Sequence, residues 1–430
     1  MIRPFVSGDC SLLRNLTFQV FIAAIAGVFL AVLYQSLMPE GSVAVSDSIE
    51  FLKKTFLALL KMLIAPMIFF SLIGGIISIG NVIRLRQMGG ITVAYYLTTT
   101  GIAIVIALIV VLFFHPWTAH PPVMSAAIDA SSTRMLEPGS DSIIRVLTTM
   151  ASLAFTNPFS ALVNLNILGI VTNALLVGVA MVLILEPESP LFRLVHDINH
   201  VIIQILKWVI RILPVGIFAI LFDFTLRLST GEGHSEAFLT QLFQFGALVV
   251  GLTLLHGLVV LPLIAWITTR TSPLTLIRKI SQPLLVAFST SSSAATLPVT
   301  MRTAEEELSV DNSVSSFVLP LGATMNMDGT ALFEAMAAVF LAYLYGIELS
   351  TVMIVTVFLM SMVASIGAPG MPSASMSGMQ MVLLAVGIPL EAIAILLVIE
   401  RPLDTIRTSV NVEGDLIGSL VVDRYLKRNG

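Results

Sequence analysis

Charge and cysteine are what this 430-residue sequence has least of. Asp, Glu, Lys and Arg together make up only 11% of it, where a soluble domain carries roughly 25%. A single cysteine, Cys10, excludes any disulfide framework within the chain and leaves no thiolate cluster to hold a metal. The formal net charge is −4, so there is no basic surface for a polyanion, and nucleic acid is excluded as a partner. No G-x-S-x-G elbow frames the serine-rich stretch 289–293, and no histidine lies near it in sequence, which argues against a serine hydrolase. Nothing else in the sequence asks for an enzyme or for a bound cofactor.

What is present is apolar. Hydrophobic residues reach 57%, more than one soluble core can hide, so the chain is expected to be an all-α polytopic membrane protein. Apolar runs lie near 16–37, 51–80, 90–117, 143–186, 195–226, 237–268, 309–345 and 389–422, which gives eight expected spans. The first is read as a retained span and not as a cleaved leader. Run 143–186 carries Asn157-Pro158, Asn164 and Asn166 and is expected to break. Arg3 and Arg14 before the first span, Arg84 and Arg86 after the second, Arg270, Arg278 and Lys279 after the sixth, and Arg424, Lys427 and Arg428 at the end lie on one side. Segment 118–142 has only Arg134 as a basic residue. Excess positive charge marks the cytoplasmic side, so both termini are expected inside and 118–142 outside. The acidic stretch EPESP at 186–190 would also fall inside and fits that rule poorly.

Two regions, 273–303 and 348–385, are apolar but interrupted by Ser, Gly and Pro. The first holds STSSSAATLP and is followed by Asn326-Met327-Asp328; the second holds SIGAPGMPSASM and is followed by Asp404. A paired, interrupted pattern in two halves is the sequence sign of inverted repeats, and irregular backbone at membrane depth survives only where it is buried in protein or lines a cavity. Both regions are expected to form re-entrant helical hairpins that meet near the midplane.

The polar residues that remain are concentrated. Glu400, Asp404, Arg407, Thr408, Asn411 and Asp415 fall within a sector of roughly 100° on one helix. A buried Arg407 can take a carboxylate through two parallel hydrogen bonds, and Asp404 one turn away can take an ammonium. The bland alternative is an internal ion pair that only packs a bundle. NMDGT, at 326–330, supplies amide and carboxylate oxygens where a helix breaks, which suits a hard cation, although a kinked helix with a paired Asp would read the same way. YYLTTT, at 95–100, adds phenol and hydroxyl oxygens. Glu334 has Thr330, Ala331, Ala337 and Ala338 as its neighbours one turn away, so it stands without a basic partner on its own helix. Ionising such a group away from water is costly. His196 and His200, with Asp197 between them, have a spacing that could clasp a metal, but one face of an interfacial helix explains them as well.

Taken together, YYLTTT, HPW, STSSSAATLPVT, PLGATMNMDGTALFEA, SIGAPGMP and DTIRTSVNVEGD resemble, in this order, the dicarboxylate/amino acid:cation symporters, the glutamate and aspartate transporter family. The resemblance implies a homotrimer working by an elevator mechanism. Scaffold helices would occupy 1–86, a transport-domain helix 87–117, an external loop and two further scaffold helices 118–235, and the transport-domain core 236–430. It implies that Arg407 and Asp404 bind the side-chain carboxylate and the amino group of the substrate. Thr408, Asn411, Ser292 and Ser293 would hold the main-chain end, with Thr330 and Ser375 lining the pocket. It implies sodium sites at Gly322, Asn326, Asn411 and Asp415, at Thr324, Ser365, Ile366 and Ala368, and at Tyr96, Thr99, Thr100, Asn326 and Asp328. Glu334 matches the position that carries a proton in proton-coupled members.

The expected function is sodium-coupled import of glutamate or aspartate into the cell, with optional proton coupling, in a membrane whose compact loops suggest a bacterial inner membrane. A C4-dicarboxylate carrier would leave Asp404 without an ammonium, and a neutral or sulfur amino acid carrier would leave Arg407 without a carboxylate. An ion channel would need no pocket. Ser375 replaces the usual Gly, and Ser291 and Thr405 stand where acidic amino acid carriers often place a second Arg. Arg401, one turn before Thr405, is a substitute. These departures bear on the preferred substrate and on potassium counter-transport.

Overall fold

The computed structural model describes residues 16–38, 42–80, 85–119, 148, 151–152, 154–186, 188–230, 235–367 and 375–429. Arg3, Cys10, Arg14, Arg84, Arg134, most of 118–142 and Ala368 lie outside them. The described elements are helices, with no strand among them. In a bilayer this is forced, because every backbone N–H and C=O must find its partner inside the segment.

The first part of the chain contains α1 (Leu16–Leu37), α2 (Val43–Gly80) and α3 (Leu85–Phe113), then a short turn of 3-10 helix at Pro116–Ala119. α4 (Pro158–Val163) and α5 (Ile167–Ile184) are separate, as the asparagines in that run foretold. Asn157 caps α4 by accepting from the Phe159 and Ser160 amides, and Asn166 caps α5 through the Gly169 amide. α6 (Pro190–Arg211) and α7 (Leu213–Thr230) follow, with a 50° bend between Pro190–Arg211 and Leu213–Asp223. α1 packs along α7, and α2 lies against α5, α6 and α7.

The second part is built around α8 (Ser235–Leu255), a π turn at His256–Val260 and α9 (Leu261–Thr269). Next come α10 (Pro273–Thr290) and α11 (Ser293–Glu306), packed side by side. Their junction is the serine-rich tip. Ser291 ends α10 in the left-handed conformation at φ 49°, and Ser292 caps α11 by accepting from the Ala295 amide. α12 (Asn312–Met325) and α13 (Asp328–Leu344) are one apolar run broken at Asn326-Met327. α14 (Thr351–Gly367) and α15 (Ser375–Ala385) pack on each other, and α16 (Ile393–Asn429) closes the chain. α16 touches α8 to α13, and α3 lies along α13.

Aromatic packing fixes α8 against α13. Phe245 stacks on Phe340 at 4.4 Å between centroids, and Trp117 meets Phe340 edge-on at 5.2 Å. Each such pair contributes about 0.5–1.5 kcal/mol beyond its area. Outward faces carry Phe29, Val32, Leu183, Phe243 and Leu263, all exposed and of the kind that lipid covers.

Among the described residues, three helical stretches are long and apolar enough to cross a membrane: Met88–Ala119, Ala237–Thr269 and Asn312–Leu344; the bent α6–α7 pair makes a fourth. That is fewer than the eight spans expected from the apolar runs. Shorter apolar stretches lie in α1 (Ile22–Leu37), α2 (Ala65–Ile77), α5 (Gly169–Ile184) and α14 (Thr351–Ile366).

Candidate substrate and cation site

α16 presents its polar face to the break between α12 and α13. Arg407 is fully buried there, with 0% exposure. Its Nη2 donates to Glu400 Oε1 at 3.0 Å, to Asp404 Oδ1 at 3.3 Å and to Ser375 Oγ at 3.3 Å. Its guanidinium lies 4.0 Å above the Phe333 ring. Its Nε and Nη1 have no hydrogen-bond partner among the described residues. Ser375 in turn donates to Glu400 at 2.9 Å. The expected pair Asp404 and Arg407 is therefore brought together, with two additions. Glu400, which shares their helix face, is the nearest carboxylate to Arg407, and Phe333 supplies a ring under the cation.

Below this cluster the broken helix meets α16. Asn326 donates from Nδ2 to Asp415 Oδ1 at 2.9 Å and to the Asn411 carbonyl at 3.1 Å. Asn411 accepts the Gly329 amide at 2.8 Å and donates to Thr330 Oγ1 at 3.3 Å. A side chain on Gly322 would land on Asp415 Oδ1 and the Tyr96 hydroxyl, so the absence of one lets these oxygens converge. Gly322, Asn326, Asn411 and Asp415 thus form one cluster. A second gathers at Asp328, whose Oδ1 accepts from Thr100 at 2.6 Å and Thr99 at 3.3 Å. Tyr96 is buried beside it and donates to the Val318 carbonyl at 2.9 Å. Buried oxygens of this number and charge have the chemistry to replace the water around a small hard cation.

Other expected residues are less engaged. Thr324 is exposed, and the printed hydrogen bonds of Thr324 and Ser365 go to carbonyls of their own helices, Leu321 and Met362. Ile366 is half-buried in the same region, and Ala368 falls outside the described residues. Ser292 and Ser293 are buried at the α10–α11 tip, and Thr408 is buried on α16. Glu334 is completely buried on α13, and neither of its carboxylate oxygens has a hydrogen-bond partner among the described residues. The rings of His196 and His200 lie 4.2 Å apart, tilted by 44°, on the exposed face of α6, and among the described residues no group of three His, Cys, Asp or Glu could hold a metal.

His256 was missed by sequence reasoning. It sits on the π turn with 1% exposure, and its Nε2–H donates to Asp328 Oδ2 at 3.0 Å. The signal was available, since His256 is the lone ionisable residue of the run 237–268. A buried ionisable group in a membrane helix marks function by default, and π turns cluster at functional sites.

Residues 16–425 match the description of the sodium:dicarboxylate symporter family. The chain belongs to that family. Among its relatives is a Caenorhabditis elegans excitatory amino acid transporter, 32% identical over 450 aligned positions that cover 95% of this chain and 86% of the relative. Excitatory amino acid transporter 3 of Bos taurus is 30% identical, over 97% of this chain and 87% of its own length. The neutral amino acid transporter B(0) of Rattus norvegicus is 32% identical, over 86% and 73%. A symporter of this family is a membrane transport protein and not an enzyme, and the family description makes sodium its coupled ion.

Proposed function

We propose that the protein is a sodium-coupled secondary transporter that imports an acidic amino acid, glutamate or aspartate. The observation that carries this reading is the buried Arg407, one turn from Asp404 and directly above the Asn326–Asn411–Asp415 oxygens. A substrate side-chain carboxylate accepts from the unpartnered Nη1 of Arg407 in a charge-assisted hydrogen bond, and its ammonium meets Asp404. Thr408, Asn411 and the Ser292–Ser293 tip take the main-chain carboxylate, with Thr330 and Ser375 along the side chain. Sodium neutralises Asp415 and Asp328 in the oxygen clusters, with a further site at Thr324, Ser365, Ile366 and Ala368. Cation and substrate bind together because Asn411 belongs to both. Glu334 carries a proton, being a buried carboxyl that is costly to ionise unpaired.

The same reading gives the fold eight transmembrane helices and two re-entrant hairpins, one at α10–α11 and one at α14–α15, arranged as inverted repeats. Residues 1–86 and 118–235 form a scaffold; 87–117 and 236–430 form the moving unit of an elevator. The protein works as a homotrimer in lipid, with both termini cytoplasmic, and the compact loops favour a bacterial inner membrane.

A specific observation favours a second reading. Arg407 is already met by two carboxylates and a serine hydroxyl, and a relative is named a neutral amino acid transporter. On that reading the arginine is a packed internal ion pair and the substrate is neutral. Uptake of labelled amino acids and C4-dicarboxylates into proteoliposomes, under sodium and proton gradients imposed separately, decides between them. Saturable sodium-driven uptake of glutamate or aspartate is expected. Uptake of neutral substrates alone, or of dicarboxylates lacking an amine, overturns the proposal.

A further inference from the structure

Consecutive residues on α13 point in different directions, since each step turns the helix by about 100°. Phe333 faces α16 and lies under Arg407, whereas Glu334 turns toward α14 and α15. There the Glu334 carboxyl occupies the space that a side chain at Gly378 of α15 would need. A Cβ built on Gly378 would overlap Glu334 Oε1, would lie 2.8 Å from Glu334 Cδ and would lie 3.0 Å from the Ala364 Cβ on α14. The carboxyl thus sits in a notch walled by Gly378 and Ala364. Neither helix forming the notch carries an ionisable side chain. The basic group near enough to act on Glu334 is Arg407. Yet the two do not pair: both Glu334 oxygens and both Arg407 Nε and Nη1 lack hydrogen-bond partners among the described residues.

A buried carboxyl and a buried guanidinium that are neighbours and remain apart need something to hold them apart. We infer that Gly378 is a positioning residue: its missing side chain lodges the Glu334 carboxyl away from Arg407, so that the unpartnered Nη1 of the arginine stays available to the substrate carboxylate. The Oε1 end of Glu334 is the flexible part of the contact, so a side chain at 378 displaces the carboxyl before it displaces either helix. Once displaced, the carboxyl finds its compensating charge at Arg407, and the protein then carries its own competitor for an acidic substrate. The inference rests on the reading that Arg407 binds the substrate carboxylate.

The test uses the full-length protein and its sodium-dependent binding of aspartate and glutamate. Gly378→Ala is expected to raise the dissociation constant for the acidic substrate at least about tenfold. Gly378→Ala combined with Glu334→Gln keeps the crowding but removes the charge, and it is expected to bind within about threefold of Glu334→Gln alone. If Gly378→Ala binds as the parent does, the inference falls. It also falls if only the smaller Glu334→Ala restores binding, since the effect is then packing. Should Gly378→Ala not yield folded protein, Ala364→Val narrows the same notch from α14, and the same pair of outcomes applies. Arg407→Cys in the parent separates the two levels. Acidic substrate affinity that survives this change removes the reading of Arg407 itself, whereas its loss, with Gly378→Ala silent, removes only the role of Gly378.

Discussion

On the proposed reading, Arg407 is the residue on which substrate charge turns. It is buried, it is stacked on Phe333, and Glu400, Asp404 and Ser375 all hold the same nitrogen, Nη2. Arg407→Cys is expected to abolish binding of acidic substrates, because an unpaired buried carboxylate costs about 3–5 kcal/mol. Neutral amino acid uptake is expected to survive or emerge. Unchanged glutamate and aspartate affinity, read by a binding isotherm, would reject the assignment. Glu334 makes a second prediction. If it carries a proton inward, uptake acidifies the vesicle lumen, and Glu334→Gln makes exchange insensitive to pH while slowing net uptake. Lumenal pH recorded beside labelled-substrate flux checks this; a Gln variant with full net flux and no proton movement would reduce Glu334 to packing. Much at this scale was legible. Asp404, Arg407, Asn411 and Asp415 share a face by spacing alone, and NMDGT stands out because polar oxygens in an apolar run are costly to bury. His256 and Phe333 were not drawn in, for a physical reason. Their partners, Asp328 and Arg407, lie 72 and 74 residues away in sequence, and only tertiary packing joins them.

At the scale of elements, the site exists because one apolar run fails to be one helix. α12 ends and α13 begins at Asn326-Met327, and the break turns Asn326 toward α16. Close approach there depends on glycine. A Cβ on Gly414 would come within 2.5 Å of Asn326 Nδ2, and one on Gly329 within 2.9 Å of the Arg407 carbonyl. Gly414→Ala is therefore expected to push Asn326 off Asp415 and the Asn411 carbonyl, at an overpacking cost of about 1–3 kcal/mol. The sodium concentration for half-maximal substrate binding is expected to rise severalfold, with a lower melting temperature in sodium-free buffer. Unaltered sodium dependence in a folded Gly414→Ala protein would separate this cluster from cation binding. Hydropathy alone could not find these elements evenly. The break in 143–186 was visible because asparagine and proline cap helices in water and in membranes alike. By contrast, α16 is polar where it is most buried: the apolar run 389–422 marked the helix, and only its packing against most of the second part of the chain had to come from the structure.

The whole molecule sorts its helices by contact. α1, α2, α5, α6 and α7 pack chiefly among themselves, and α3 joins α8 to α16 through α13, α14 and α16. Fewer approaches cross between the sets. One is at Gly75 of α2, whose Cβ position lies 3.7 Å from the Ile366 carbonyl on α14. If the first set is a scaffold and the second carries substrate across the membrane, that approach must open or slide in each cycle, because packed interfaces shear as units and do not stretch. Gly75→Cys with Ile366→Cys, in a protein whose single native cysteine is replaced by Cys10→Ser, offers two thiols for a short bifunctional reagent. In the proposed cation site Ile366 would act through its backbone carbonyl, so the exchange need not disturb cation binding. Cross-linked protein is expected to bind aspartate with its sodium dependence intact and to lose most of its uptake in proteoliposomes. A cleavable reagent is expected to restore that uptake when it is cut. Quantitative cross-linking with undiminished uptake would mean that the two sets do not move past each other there, and the elevator division of the chain would fall with it.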